Sequence, residues 1–289
     1  MIPPAFEYLR PTTIPEAISL LQQHGEDAKI LSGGQSLVPM MKLRIARPAY
    51  LVDINRILGL SYIKEEGGFL KIGDLTREAE LEASSLVHAK YPILLDTVRV
   101  IADPQVRNLA TVAGNLAHGD PANDHPATML ALRARVVATG AEGERVIPIE
   151  EFFETLFTTA LQQGEILTEI RIPIPPAHSG GAYFKLERKV GDFATAAVAA
   201  QVTVDSSGAV QKAGIGLTNV GPIPIKAIAA EDFLEGKRLD ASSIAQAAQF
   251  AADASQPSSD LRGPAEYKKS VVIELTKRAL SRAAERAAK

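Results

Sequence analysis

Hydrophobic positions near the start of the chain recur at helical spacing. Ile14, Ala17, Ile18 and Leu21 share one helix face, Thr12 and Thr13 offer caps, Pro15 suits the first turn, and Gly25 follows His24 as a stop. The period then changes. Residues 28–32 and 50–54 read as strands, which with the helix make a compact α/β unit ending near residue 57. Residues 63–66 and 69–72 flank Gly67-Gly68 and predict a hairpin. Helices are expected over 76–84, 92–101 and 126–133. Strands are expected over 135–139 and 145–149 around a Gly-containing turn, then a short helix over 151–155 and a strand over 165–172.

The run from Ile172 to Gly181 is dense in proline and glycine and marks a domain boundary. Three strands follow, over 182–189, 195–204 and 209–219, with Asp205-Ser-Ser-Gly208 as the turn that makes the last two antiparallel. From Ala227 the chain is Ala-rich and helical, closing with a long helix from about residue 264 to 288. The pattern predicts an α+β protein of two domains, 1–177 (subdomains about 1–57 and 58–177) and 178–289.

Composition narrows the function classes. With 46% hydrophobic and 22% charged residues over 289 positions, the chain is an ordinary globular sequence. A net charge of −3 argues against a strongly basic nucleic-acid binder. The absence of cysteine excludes disulfides, thiolate nucleophiles and iron–sulfur clusters held by this chain's own thiolates. The first residues lack a signal-peptide pattern, and the longest apolar window, 193–204, falls short of the ~20 residues that span a bilayer. The reading is a cytoplasmic protein.

Candidate chemistry lies in three segments. Ser32-Gly-Gly-Gln-Ser36 follows a strand directly; adjacent glycines free the backbone N–H groups to approach a phosphate, and the Ser36 hydroxyl can donate to one. A tight turn is the competing reading. Thr111-Val-Ala-Gly-Asn115 repeats the theme, with Gly114 for close approach and Thr111 and Asn115 as polar groups. Asp124 stands just before a Pro-started helix, as its cap or as an acceptor for ribose or adenine groups. His118, Asp120, Asp124 and His125 are potential metal ligands, but their spacing fits no common zinc pattern, and no metal is expected. Lys185, Glu187 and Lys189 would share one strand face, read as solvated, leading to Gly191-Asp-Phe193. Gly214-Ile-Gly216 lacks the third glycine of a dinucleotide fingerprint and sits inside a strand pattern. Two separate glycine loops, without an acidic dyad or thiol, suit a diphosphate cofactor that carries the chemistry itself, and no catalytic side chain is expected.

In these segments the chain resembles the FAD-binding medium subunit of the molybdenum hydroxylases, the xanthine dehydrogenase family, and within it the carbon monoxide dehydrogenase type. The resemblance runs from Phe6-Glu-Tyr-Leu-Arg-Pro11 to Gly263-Pro-Ala-Glu-Tyr267. It includes the paired loops, Ile101-Ala-Asp-Pro-Gln-Val-Arg-Asn108, and Lys185-Leu-Glu-Arg-Lys-Val-Gly-Asp-Phe193. It implies an N-terminal FAD-binding PCMH-type domain of two α/β subdomains and a C-terminal three-stranded antiparallel sheet with helices. Ser32, Gly33, Gly34, Gln35, Ser36 and Leu37, with Thr111, Ala113, Gly114 and Asn115, would hold the FAD pyrophosphate. Ile101 and Ala102 would flank the cofactor, Asp124 would contact the ribose end, and Lys185, Asp192 and Phe193 would lie toward the isoalloxazine. Ala113, Gln35 and Phe193 stand where the family usually has glycine, histidine and tyrosine.

The resemblance further implies an oxidoreductase subunit in a dimer of heterotrimers. A small partner would carry [2Fe-2S] clusters and a large one the molybdenum cofactor, with a quinone as acceptor and a peripheral position at the inner face of the membrane. The residues by themselves leave two other readings open: a stand-alone flavin oxidase of a small alcohol, and a nucleotide-binding assembly module. A related aldehyde or aromatic hydroxylase would use the same medium subunit.

Overall fold

The computed structural model describes residues 1–288. The first helix forms as its pattern dictates. Thr13 accepts a hydrogen bond from the Glu16 N–H, Pro15 lies in the first turn, Ala17, Ile18 and Leu21 are buried, and Ile14–His24 ends at Gly25 with positive φ. It covers a three-stranded parallel sheet ordered Glu7–Leu9, Tyr50–Asp53, Ala28–Leu31. The outermost of these, Glu7–Leu9, is short and exposed and carries no alternation by which to read it.

A five-stranded antiparallel sheet follows, ordered Ile63–Glu66, Phe69–Gly73, Ile166–Pro173, Arg135–Gly140, Gly143–Pro148. Gly67 and Gly68 both adopt positive φ and close the expected hairpin. The helix expected over 151–155 does not form. Ile149–Glu151 is a single 3₁₀ turn, and Phe153–Thr155 is a strand paired with Thr158–Thr159. Phe152 and Phe153 are both buried, so two adjacent apolar residues mimicked a helix face.

The third sheet is antiparallel, Ser179–Glu187, Ala194–Val204, Val210–Thr218, extended by the two residues Ile225–Lys226. Its central strand explains the long apolar window. Ala197 and Ala199 pack into the core beside the second sheet, while Ala196, Val198, Ala200 and Val202 pack into a separate core under the C-terminal helices. Both faces are buried, so the strand has no polar alternation. The helices Ile228–Leu234, Ala241–Ala254 and Ala265–Ala287 cover the outer face.

Gly214 and Gly216 serve packing. A Cβ on either would stand 2.0 Å from the carbonyl oxygen of Ala131 or Ala127, because helix His125–Ala131 lies directly on their strand. Arg286 near the chain end forks onto both carboxylate oxygens of Asp96, at 2.5 and 3.0 Å, and onto the Gly181 carbonyl, tying the last helix to helix Pro92–Arg99. Among the described residues no helix is long and apolar enough to cross a membrane.

Candidate functional site

The three sheets meet around one cavity of about 600 Å³, within the size range of small-molecule sites. Ser32, Gly33, Gly34, Gln35, Ser36 and Leu37 form one wall. Gly34 takes φ +73°, and the Gln35 amide donates to the Gly33 carbonyl at 3.3 Å. Among the described residues the backbone N–H groups of Gln35, Ser36 and Leu37 meet no acceptor in the chain, which leaves donors available to an anion. Gly33 is required for a reason the sequence did not disclose. A Cβ there would stand 2.4 Å from the Leu109 carbonyl oxygen and 2.8 Å from Ala110 Cα. The residue's missing side chain makes room for the second loop, not only for a ligand.

That second loop forms the facing wall. Thr111 caps helix Val112–Ala117 by accepting the Gly114 N–H at 3.1 Å, and its hydroxyl lies 3.0 Å from that of Ser32. Thr111, Gly114 and Asn115 line the cavity, and Asn115 Oδ1 is buried without a hydrogen-bond partner among the described residues. Ala113 is fully buried in the core behind them and lines no part of the cavity.

Asp124 and Lys185 are one unit. Lys185 Nζ donates to Asp124 Oδ2 at 3.0 Å and to the Val100 carbonyl at 3.0 Å, with Glu187 at 3.5 Å. The Tyr183 hydroxyl donates to Asp124 Oδ1 at 2.5 Å. Two sequence expectations fall here. Asp124 makes no capping hydrogen bond to its helix, because these two donors take its oxygens. Lys185 is not solvated, its side chain being only 2% exposed, while Lys189 lies exposed beyond the end of the strand at Glu187. Burial raises the Asp124 carboxyl above its ordinary value, against the pull of Lys185 and Tyr183. The Tyr183 phenol is pushed well above its ordinary value by burial and by Asp124.

Ile101 and Ala102 meet Gly191, Asp192 and Phe193 at the cavity's other flank. Burial opposes the Asp192 charge, but hydrogen bonds from the Phe193 N–H at 2.9 Å and Arg262 at 3.1 Å hold its carboxyl below the usual range. Phe193 is half exposed at the cavity edge and is not a core residue.

The metal-ligand candidates separate. His125 is fully buried and bonds Glu78 at 2.8 Å, while His118 packs its ring against Phe157 and lines the cavity. Burial pushes the His118 imidazole below its ordinary pKa. Among the described residues no three histidine, aspartate or glutamate side chains gather as a metal site would require.

Sequence reading missed Asp74, Tyr183 and the segment Leu161 to Leu167, all close to the cavity or its polar groups. Tyr183 was legible two positions before Lys185 on the same strand face. Gly164, at φ +83°, marks the turn that brings the third segment in. The lining fits an elongated anionic ligand: backbone donors and hydroxyls on two walls, an orphaned amide oxygen, and a polar cluster beside an aromatic ring.

Comparison with known proteins agrees. A family profile described as the FAD binding domain in molybdopterin dehydrogenase matches residues 4–175, and one described as the CO dehydrogenase flavoprotein C-terminal domain matches residues 181–283. The chain is 45% identical to the carbon monoxide dehydrogenase medium chain of Hydrogenophaga pseudoflava over 98% of each chain. It is 38% identical to the 6-hydroxypseudooxynicotine dehydrogenase complex subunit alpha of Paenarthrobacter nicotinovorans, over 99% of this chain and 97% of that one. A solved structure of carbon monoxide dehydrogenase from Hydrogenophaga pseudoflava, lacking the Mo-pyranopterin moiety, superposes with a TM-score of 0.96 at 47% identity, over 99% of both chains.

Proposed function

The chain belongs to the FAD-binding medium subunits of the molybdenum hydroxylases, and from that premise we propose that it relays electrons within a carbon monoxide dehydrogenase-type complex. The observation that carries this reading is the convergence of the Ser32–Leu37 and Thr111–Asn115 loops, locked by the Ser32–Thr111 hydrogen bond, on one cavity shared by three sheets.

Bound FAD would supply storage for two electrons and their exchange one at a time. The chain's own residues hold and surround it. Gly33, Gly34, Gln35, Ser36 and Leu37 would offer backbone donors to the diphosphate, Ser32 and Thr111 fix the spacing between the loops, and Asn115 would accept from the cofactor. Asp124 and Lys185, being bonded to each other, would face the same portion of it. Phe193 and Asp192 would border the redox-active ring, with Ile101 and Ala102 alongside.

The domain division at residue 177 belongs to the same reading. So does an assembly with a small iron–sulfur subunit and a large molybdenum-cofactor subunit, as a cytoplasmic dimer of heterotrimers at the inner membrane face that delivers electrons to a quinone. Substrate oxidation would then occur on the large subunit. Titration of the flavin-free full chain with FAD, FMN and ADP tests the reading. Selective, tight FAD binding is expected; equal affinity for ADP and FAD would make the chain a nucleotide-binding module instead.

A further inference from the structure

Asp74 is a buried acid in the cavity wall whose carboxylate no side chain among the described residues hydrogen-bonds. It follows strand Phe69–Gly73, and its N–H donates to the Thr168 carbonyl at 3.0 Å, so its place is fixed by the sheet. It is 4% exposed, it lines the cavity, and its Oδ2 has no hydrogen-bond partner among the described residues. The surrounding charges are committed elsewhere. Arg77 donates to the Leu109 carbonyl at 2.6 Å and to Asn55. Glu169, on the strand beside it, is taken by Tyr62 at 2.7 Å and Arg171 at 2.5 Å. Asp53 on the first sheet is bonded to Tyr8 and Asn55. Helix Val112–Ala117 carries no charged residue. Of the other ionisable groups lining the cavity, Asp124 is paired with Lys185, Glu165 with Arg145 and Asp192 with Arg262, burial lowers the His118 imidazole pKa, and Lys29 is exposed to solvent.

A buried carboxylate without a partner is costly. Burial accordingly pushes the Asp74 carboxyl up to about 7, with Arg77 only partly opposing. Placing a diphosphate on the walls of the same cavity would disfavour the anion further, whereas a protonated carboxyl can donate a strong hydrogen bond to an anionic oxygen.

We propose that Asp74 meets the bound dinucleotide as a neutral acid, donating its proton to a cofactor oxygen, so that cofactor uptake carries a proton with it. This rests on the FAD reading above. The chemistry is binding alone: one O–H···O contact forms, and the proton comes from solvent whenever Asp74 is ionised beforehand.

The test is FAD binding to the flavin-free full chain between pH 5 and 9 (about two units to either side of the Asp74 value), followed by flavin fluorescence. Calorimetry in buffers of different ionisation heat counts protons on the wild type, independently of any variant. The expected result is a dissociation constant that rises up to tenfold per pH unit above about 7, with nearly one proton taken up at pH 8. Asp74→Asn, and Asp74→Ser if the amide does not fold, should lack that rise and bind more tightly than wild type at pH 9. Equal pH slopes in wild type and variants, or no proton uptake, would overturn the inference. So would weaker binding by Asp74→Asn at every pH, which would make Asp74 an anion accepting from a ribose hydroxyl. Failure of the folded wild type to bind FAD at any pH would instead overturn the flavin reading, and this inference with it.

Discussion

The hydroxyls of Ser32 and Thr111 lie 3.0 Å apart although 79 positions separate them in the chain. Thr111 also caps its own helix through Gly114, so a single side chain sets both the helix start and the spacing of the two loops. Thr111→Val keeps the shape and removes both hydrogen bonds. It should cost about 1–2 kcal/mol, the usual worth of a cap, and lower the bound flavin per protein. Thr111→Ser should retain most of both. Denaturant unfolding and flavin content check this.

Gly33→Ala should be damaging before any ligand is considered, since its methyl group would press on the Leu109 carbonyl and Ala110. Overpacking of this kind costs about 1–3 kcal/mol. The expected outcome is a lower melting temperature in the flavin-free chain together with weaker FAD retention. A normal melting temperature with lost retention would place the defect on the ligand side alone.

The Lys185–Asp124 pair predicts a non-additive cycle. Lys185→Met leaves Asp124 buried with the Tyr183 hydroxyl as its remaining donor, and breaking such a pair costs about 3–5 kcal/mol. The double variant Asp124→Asn with Lys185→Met should recover a large part of that loss. Urea unfolding of all four proteins measures the coupling.

Asp74 also predicts a pH signature in the flavin-free protein. Its carboxyl is raised in the folded state from 3.8 to about 7, so the folded chain binds more protons than the unfolded chain between those values. Its contribution is intact below pH 4, declines as pH rises toward 7, and is lost above. Relative to wild type, Asp74→Asn should therefore gain stability steadily from pH 4 to 7 and hold the gain at pH 8. Chemical denaturation across that range checks the sign.

Much of the fold was legible because local signals agreed with burial. Thr13, Pro15 and Gly25 delimited the first helix, and Gly67-Gly68 the hairpin. The failures have physical causes. Helix Leu37–Lys42 was hidden by Pro39 in its middle. The 153–155 strand was masked by two adjacent buried phenylalanines. Lys185 looked solvated because sequence cannot show that Asp124, 61 positions earlier, comes to meet it. Gly214 and Gly216 resembled a failed nucleotide motif, while their role is to admit the backbone of helix His125–Ala131. At the site, the two loops were readable from their glycines, whereas Asp74 carried no pattern, since a lone carboxylate acquires meaning only from burial and missing partners.

The most direct test of the account is to purify the protein natively with its partners, record the absorption spectrum and identify the released flavin. The account predicts FAD bands on this chain, iron–sulfur absorption on a co-purifying small subunit, and a large subunit containing molybdenum. A solitary chain that turns over substrate with its own flavin, or a complex in which this chain holds no flavin even after FAD is added, would contradict it.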